Sequence, residues 1–185
     1  MVSLAALWLP ILLSGVIVFI ASSIMHMILP YHRSDYSQLP EEDKLLPVLR
    51  AAGLKRGSYI FPYATHKDMK SQAMAEKYNQ GPVGMMTVFP SGLPFMPKFL
   101  GLWFAYTLTI SFFVAYLTGH TIAPGANYPA VFRVAGTAGF MAYGLGLLSN
   151  GIWKSQPWST VLKEVFDGLI YGLLTAGIFG WLWPR

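Results

Sequence analysis

The stretch from residue 4 to residue 29, LAALWLPILLSGVIVFIASSIMHMIL, decides the fold. Its only ionisable side chain is His26. An α-helix rises about 1.5 Å per residue, so about 20 apolar residues cross the roughly 30 Å of hydrocarbon in a bilayer. Lipid offers no partner for an open backbone N–H or C=O, so such a run must be helical. No basic residue precedes it, and it is longer than the apolar core of a cleaved leader. It reads as a retained membrane helix, with Pro10 near its outer end.

Three further runs have the same character: residues 99–117, 128–152 and 159–183. The third contains Arg133 near its start, and the fourth is apolar after Asp167 and closes on Trp181 and Trp183. Composition agrees. Only 11% of the 185 residues are charged, against roughly 25% in soluble domains, too few to cover a water-facing surface. The expected fold is an all-α membrane protein of four transmembrane helices, one membrane domain over residues 1–185. Residues 30–97 form a small mixed α/β cap within it, between the first and second helices.

Charge sets the expected topology. Nine of the 13 Lys and Arg lie between Arg33 and Lys98, while residues 118–127 contain none. By the positive-inside rule the long loop is cytoplasmic and both termini are outside, in a bacterial inner membrane. The clustering reads as a topology signal, and no nucleic-acid partner is expected. Within the loop, acidic residues 41–43 followed by Leu45, Leu46 and Leu49 predict one helix, with Pro47 a flaw in it. A second is predicted from Asp68 to Asn79, stopped at Gly81-Pro82. Residues 58–61 and 85–89 read as short strands, able to pair with each other or to lie in the membrane interface.

Small residues predict how the helices pack. Gly168, Gly172, Ala176 and Gly180 recur every fourth residue, as do Ala138, Ala142 and Gly146, with Ala135 and Gly139 on a neighbouring stripe. Such stripes let helix backbones approach closely in lipid. They serve either an internal hairpin or a second copy of the chain.

The absence of cysteine removes disulfides, thiolate metal sites and Cys nucleophiles. No phosphate-cradling loop, nucleophile elbow or zincin motif is present. Ionisable groups in a span are costly and therefore functional suspects. His26, Asn150, Lys163 and Asp167 fall at similar depth near the inner end, with Lys163 placed to pair with Asp167 at the i, i+4 spacing. This cluster is either an ion or proton vestibule or a satisfied structural network. His26, His32, Asp35 and His66 offer nitrogen and oxygen ligands for a transition metal at the membrane surface, without the spacing of a tight metal motif. No other cofactor is expected. A bis-histidine haem is disfavoured because His26 and His120 lie near opposite faces.

The motifs Tyr31-His32-Arg33-Ser34-Asp35-Tyr36, Gly81-Pro82-Val83-Gly84-Met85, Gln156-Pro157-Trp158 and Phe179-Gly180-Trp181-Leu182-Trp183-Pro184 resemble an uncharacterised family of small bacterial four-helix integral membrane proteins. The resemblance spans the chain and implies no activity, substrate or cofactor. Three functions are therefore expected from the residues themselves. The first is a non-enzymatic accessory or oligomer-forming unit whose partners are lipid and itself or a larger membrane complex. The second is an ion, proton or small-solute pathway around Asp167, and the third a metal-binding protein or enzyme at the membrane surface.

Overall fold

The computed structural model describes residues 1–185, and the chain divides into two compact units. One comprises Met1–Tyr36 and Phe95–Arg185, the other Ser37–Pro94.

In the first unit, a single 3₁₀ turn, Leu4–Leu7, leads into α1, Trp8–Ser23. The helix continues through one wide π-turn, Ile24–Ile28, closed by the Leu29 N–H donating to the Ile24 carbonyl at 3.1 Å. Pro30 has no N–H to continue the ladder, and the chain tightens into a 3₁₀ turn over Pro30–Ser34. Beyond the second unit (which contributes α2 and α3), α4 spans Met96–Thr121. The α5 helix, Tyr128–Tyr143, is capped by Asn127, whose side chain accepts from the Ala130 N–H at 3.0 Å. It breaks at Gly144 into a short 3₁₀ turn and resumes as α6, Leu148–Trp153. Pro157 then starts α7, Trp158–Trp181.

Three helical segments are long and apolar enough to cross a membrane: Leu4–Ile28, Met96–Thr121 and Tyr128–Trp153. The fourth expected span, α7, has 24 residues, but Lys163, Glu164 and Asp167 crowd its first half.

Polarity is turned inward. Ser14, Thr107, Ser111 and Thr175 are fully buried, whereas Trp8, Ile20, Phe113, Leu162 and Trp181 face outward. Buried hydroxyls fasten α1 to α4: Ser14 Oγ donates to Ser111 Oγ at 3.0 Å and Thr107 Oγ1 to the Gly15 carbonyl at 3.2 Å. Between helices that gain little from hydrophobic burial, such bonds and close packing supply the cohesion. At the end away from the α6–α7 link, the Val2 N–H donates to the Gly119 carbonyl at 2.8 Å. Trp183 Nε1 donates to the Ala123 carbonyl at 2.9 Å, so both chain ends gather beside the α4–α5 connection.

The closest pairing in the unit is α5 against α7. A Cβ placed on Gly168 would stand 2.5 Å from the Gly144 Cα, and one on Gly172 would stand 2.8 Å from the Phe140 nitrogen. Gly180 lies under the Tyr128 ring, and the Gly136 position is 3.1 Å from the Ala176 Cβ. The α7 stripe is thus spent inside the chain. On the other side the contact runs through Gly136 and Gly139 and, just past the end of α5, Gly144. Ala138 and Ala142 instead line a shallow groove with α4, and Gly146 faces open space. The expected 138–142–146 stripe is therefore not one contact face: Ala138 and Ala142 lie on the side of α5 toward α4, and Gly146 falls in the 3₁₀ turn after the break at Gly144.

The second unit holds α2, Glu42–Ala51, and α3, Gln72–Gln80. Strands β1, Gly57–Phe61, and β2, Gly84–Val88, pair antiparallel, with Ile60 opposite Met85. Pro47 is accommodated within α2. The cap of α3 is Ser71, whose Oγ accepts from the Met74 N–H at 3.2 Å, rather than Asp68. Asp68 opens a preceding 3₁₀ turn and accepts from the Thr65 hydroxyl.

A methyl group at Gly168 has no room, so Gly168→Ala is expected to lower stability by roughly 2 kcal/mol through overpacking. Gly146→Ala, where nothing lies within 4 Å, should stay within about 0.5 kcal/mol of the parent. Unfolding in detergent, followed by far-ultraviolet circular dichroism, distinguishes the two.

Candidate functional site

The site is built where the chain leaves α1 and folds back on the start of α7. Lys163 and Asp167 stand four residues apart, on one face of that helix, and both receive the 30–35 turn. Lys163 does not pair with Asp167, as the spacing had suggested. Its Nζ donates to the Tyr31 carbonyl at 2.7 Å, to Ser34 Oγ at 2.8 Å and to Asp35 Oδ1 at 2.7 Å. These three bonds use all the donors of an ammonium. Thr160 adds a longer bond to the same Asp35 oxygen, 3.4 Å.

Asp167 is 2% exposed and takes its partners from the turn. One oxygen accepts the Tyr31 hydroxyl. The other lies 2.7 Å from His32 Nε2 and 3.7 Å from His26 Nε2. On the far side of its ring, His32 Nδ1 lies 2.5 Å from Asp35 Oδ2. His26 stacks on His32 with ring centres 4.2 Å apart and planes at 16°. The wide turn that ends α1 carries His26 over this ring. Turns of this kind occur often at functional sites.

Electrostatics follow from the bonding. Burial works against charge on His32, but hydrogen bonds to Asp35 and Asp167 prevail and raise its pKa above the usual imidazole value. Burial works against the Asp35 carboxylate too, yet Lys163 and His32 hold its pKa below the ordinary range. Burial and the bond to Asp167 push the Tyr31 phenol well above its normal value. With His32 protonated, two carboxylates face one imidazolium and one ammonium. The cluster is then neutral, as a buried ionic group must nearly be.

The tautomers matter for chemistry. The Ser22 carbonyl can only accept, so His26 Nδ1, 3.1 Å away, carries a proton. In the neutral ring its Nε2 is then a bare lone pair. When His32 loses one proton, Asp35 retains the other on Nδ1 and frees Nε2 in the same way. His26 Nε2, His32 Nε2 and an Asp167 oxygen then converge, all within 4.8 Å of one another.

Of the residues singled out from sequence, His26, His32, Asp35, Lys163 and Asp167 meet here. Asn150 lies on α6, where its carbonyl accepts from the Lys154 and Gln156 N–H groups and closes the link to α7. His66 belongs to the second unit, exposed in the turn before the 3₁₀ segment Asp68–Lys70. Sequence reasoning did not single out Tyr31 or Thr160. Tyr31 adjoins His32, and Thr160 lies one residue short of a helical turn before Lys163 and seven before Asp167, but neither has an individual signature.

Removing the Lys163 charge strands Asp35. Lys163→Met is expected to cost about 3 kcal/mol, and adding Asp35→Leu should recover much of it, because a lone buried charge is worse than no pair. A double-mutant cycle of detergent unfolding measures the coupling.

No protein-family model, curated protein or solved structure matches this chain.

Proposed function

We propose that this is a membrane protein that binds a divalent first-row transition-metal ion through His26, His32 and Asp167 at one end of its helical bundle. The observation that carries the reading is that both histidines have Nδ1 committed to a protein acceptor, leaving both Nε2 atoms within 3.7 Å of one carboxylate oxygen. Histidines that hold metals are oriented in this way by a carbonyl or carboxylate behind the ring. Here the Ser22 carbonyl and Asp35 are those groups, and Tyr31 steadies the ligating carboxylate.

The dimensions suit such an ion. Metal bonds of about 2.1 Å give ligand–ligand separations of about 3.0 to 3.5 Å, and the distances from Asp167 to the two imidazoles, 2.7 and 3.7 Å, bracket them. Two imidazoles and a carboxylate suit zinc or iron(II) and leave positions open for exchangeable ligands. Relative to the sequence expectation, Asp167 takes the place of His66, and Asp35 moves from ligand to supporting group. The small-residue stripe of α7 is occupied by α5, so an oligomer-forming role draws no support from it.

In this reading α7 is the fourth span. Its hydropathy is depressed by residues that lipid does not meet, since Asp167 is buried and Lys163 is saturated by the turn. The metal end is the cytoplasmic end of an inner-membrane protein, as the distribution of Lys and Arg favours.

Protein purified without chelator and reloaded with zinc or iron(II) should hold one ion per chain by mass-spectrometric metal analysis. His26→Ala, His32→Ala and Asp167→Asn are each expected to abolish stoichiometric binding, while His66→Ala retains it. Asp35→Asn should weaken binding about 10- to 100-fold. Equal metal content in the parent and in all three ligand variants would overturn the proposal.

A further inference from the structure

The second unit presents a surface that the metal site does not use. Ile60 and Met85 are register partners on the β1–β2 hairpin, and both are half exposed. Ser58 and Thr87 share their face, while Tyr59 and Met86 lie on the other and are partly covered. Where the hairpin strands end, Tyr63 and Phe89 are about three-quarters exposed, and Leu93 further on is fully so. A soluble unit of this size gains nothing from leaving such groups in water.

The charges that flank both strands along the chain are of one sign. Residues 45–67 contain Arg50, Lys55, Arg56 and Lys67 with no Asp or Glu, and residues 77–98 contain Lys77 and Lys98, again with none. Both strands lie inside these two windows. Acidic residues of the unit are confined to 41–43, 68 and 76. An apolar centre with a cationic surround has the two attractions that hold a protein segment in the headgroup layer of an anionic bilayer.

Connectivity supplies the third argument. Only seven residues, 89–95, separate the end of β2 from the start of the membrane span Met96–Thr121. Even fully extended they reach about 25 Å. The hairpin is therefore permanently at high effective concentration beside lipid. A soluble partner would have to compete with a surface that never leaves.

We infer that the Ile60–Met85 face of the hairpin docks on the anionic leaflet of the membrane that holds the spans, with Lys55 and Arg56 meeting phospholipid phosphates.

The chain has no cysteine, so single labels report without background. The full-length protein is placed in nanodiscs of phosphatidylcholine with phosphatidylglycerol, bearing bimane at Met85→Cys, Ile60→Cys or, as an exposed reference on α3, Asn79→Cys. At positions 85 and 60 the expected result is quenching by nitroxide-labelled lipid and protection from aqueous iodide, with the reverse at 79. Lys55→Gln with Arg56→Gln should lower the docked-to-undocked ratio about 30-fold, as should nanodiscs of phosphatidylcholine alone. Using both 60 and 85 guards against one cysteine disturbing the strand. Iodide quenching at 60 and 85 as complete as at 79 would sink the inference. Protection from both quenchers would assign the face to protein instead, and protection indifferent to lipid charge would remove the phosphates from it. Either of these overturns the proposal.

Discussion

A carboxylate buried inside an apolar helical bundle has to be answered, and the architecture around Asp167 is the answer. An uncompensated charge there would cost several kcal/mol or force the group to protonate. Its hydrogen-bonding partners come from the chain just beyond α1, from Tyr31 and His32. That requirement explains why residues 30–35 do not wander into the loop. They turn tightly and lay Tyr31, His32 and Asp35 against the start of α7. Because Asp35 brings a second negative charge, Lys163 is needed one helical turn before Asp167. Each group in the set is there because of the one before it.

The bundle that carries this set depends on very close approach of α5 and α7. Glycine at 139, 144, 168 and 172 removes the side chains that would hold the backbones apart, and it brings Asp167 to a depth where water is scarce. The same closeness excludes a second copy of the chain from that face. Packing and chemistry are linked here: residues with no chemistry of their own set the dielectric in which the ionisable ones operate.

Much of this was legible in the sequence. Long apolar runs fix helices in lipid because the backbone has no other way to satisfy itself, and three of the four expected spans agree with helices long and apolar enough to cross a membrane to within a few residues. The fourth, α7, carries Lys163, Glu164 and Asp167, and the partners of Lys163 and Asp167 lie over 120 residues away. Five members of the site, His26, His32, Asp35, Lys163 and Asp167, were visible as suspects because ionisable residues near spans are rare. Their pairing was not visible. The i, i+4 spacing of Lys163 and Asp167 pointed to a local ion pair, but tertiary partners were stronger for both. His66 was grouped with the other histidines for its element type alone, since spacing along a chain says nothing of distance across a fold. The break at Gly144 also escaped notice, because a glycine among small residues looks like packing until the dihedral angles are known.

The wide turn at Ile24–Ile28 has a meaning beyond the position of one side chain. A π-turn is an α-helix holding one residue too many, and the surplus shifts everything after it by about 100° around the axis. The chain from Leu29 onward, including the turn that carries Tyr31, His32 and Asp35, leaves the helix in the direction which that surplus sets. Register, and not composition alone, therefore fixes which way an ionisable side chain near the end of a long apolar helix is turned.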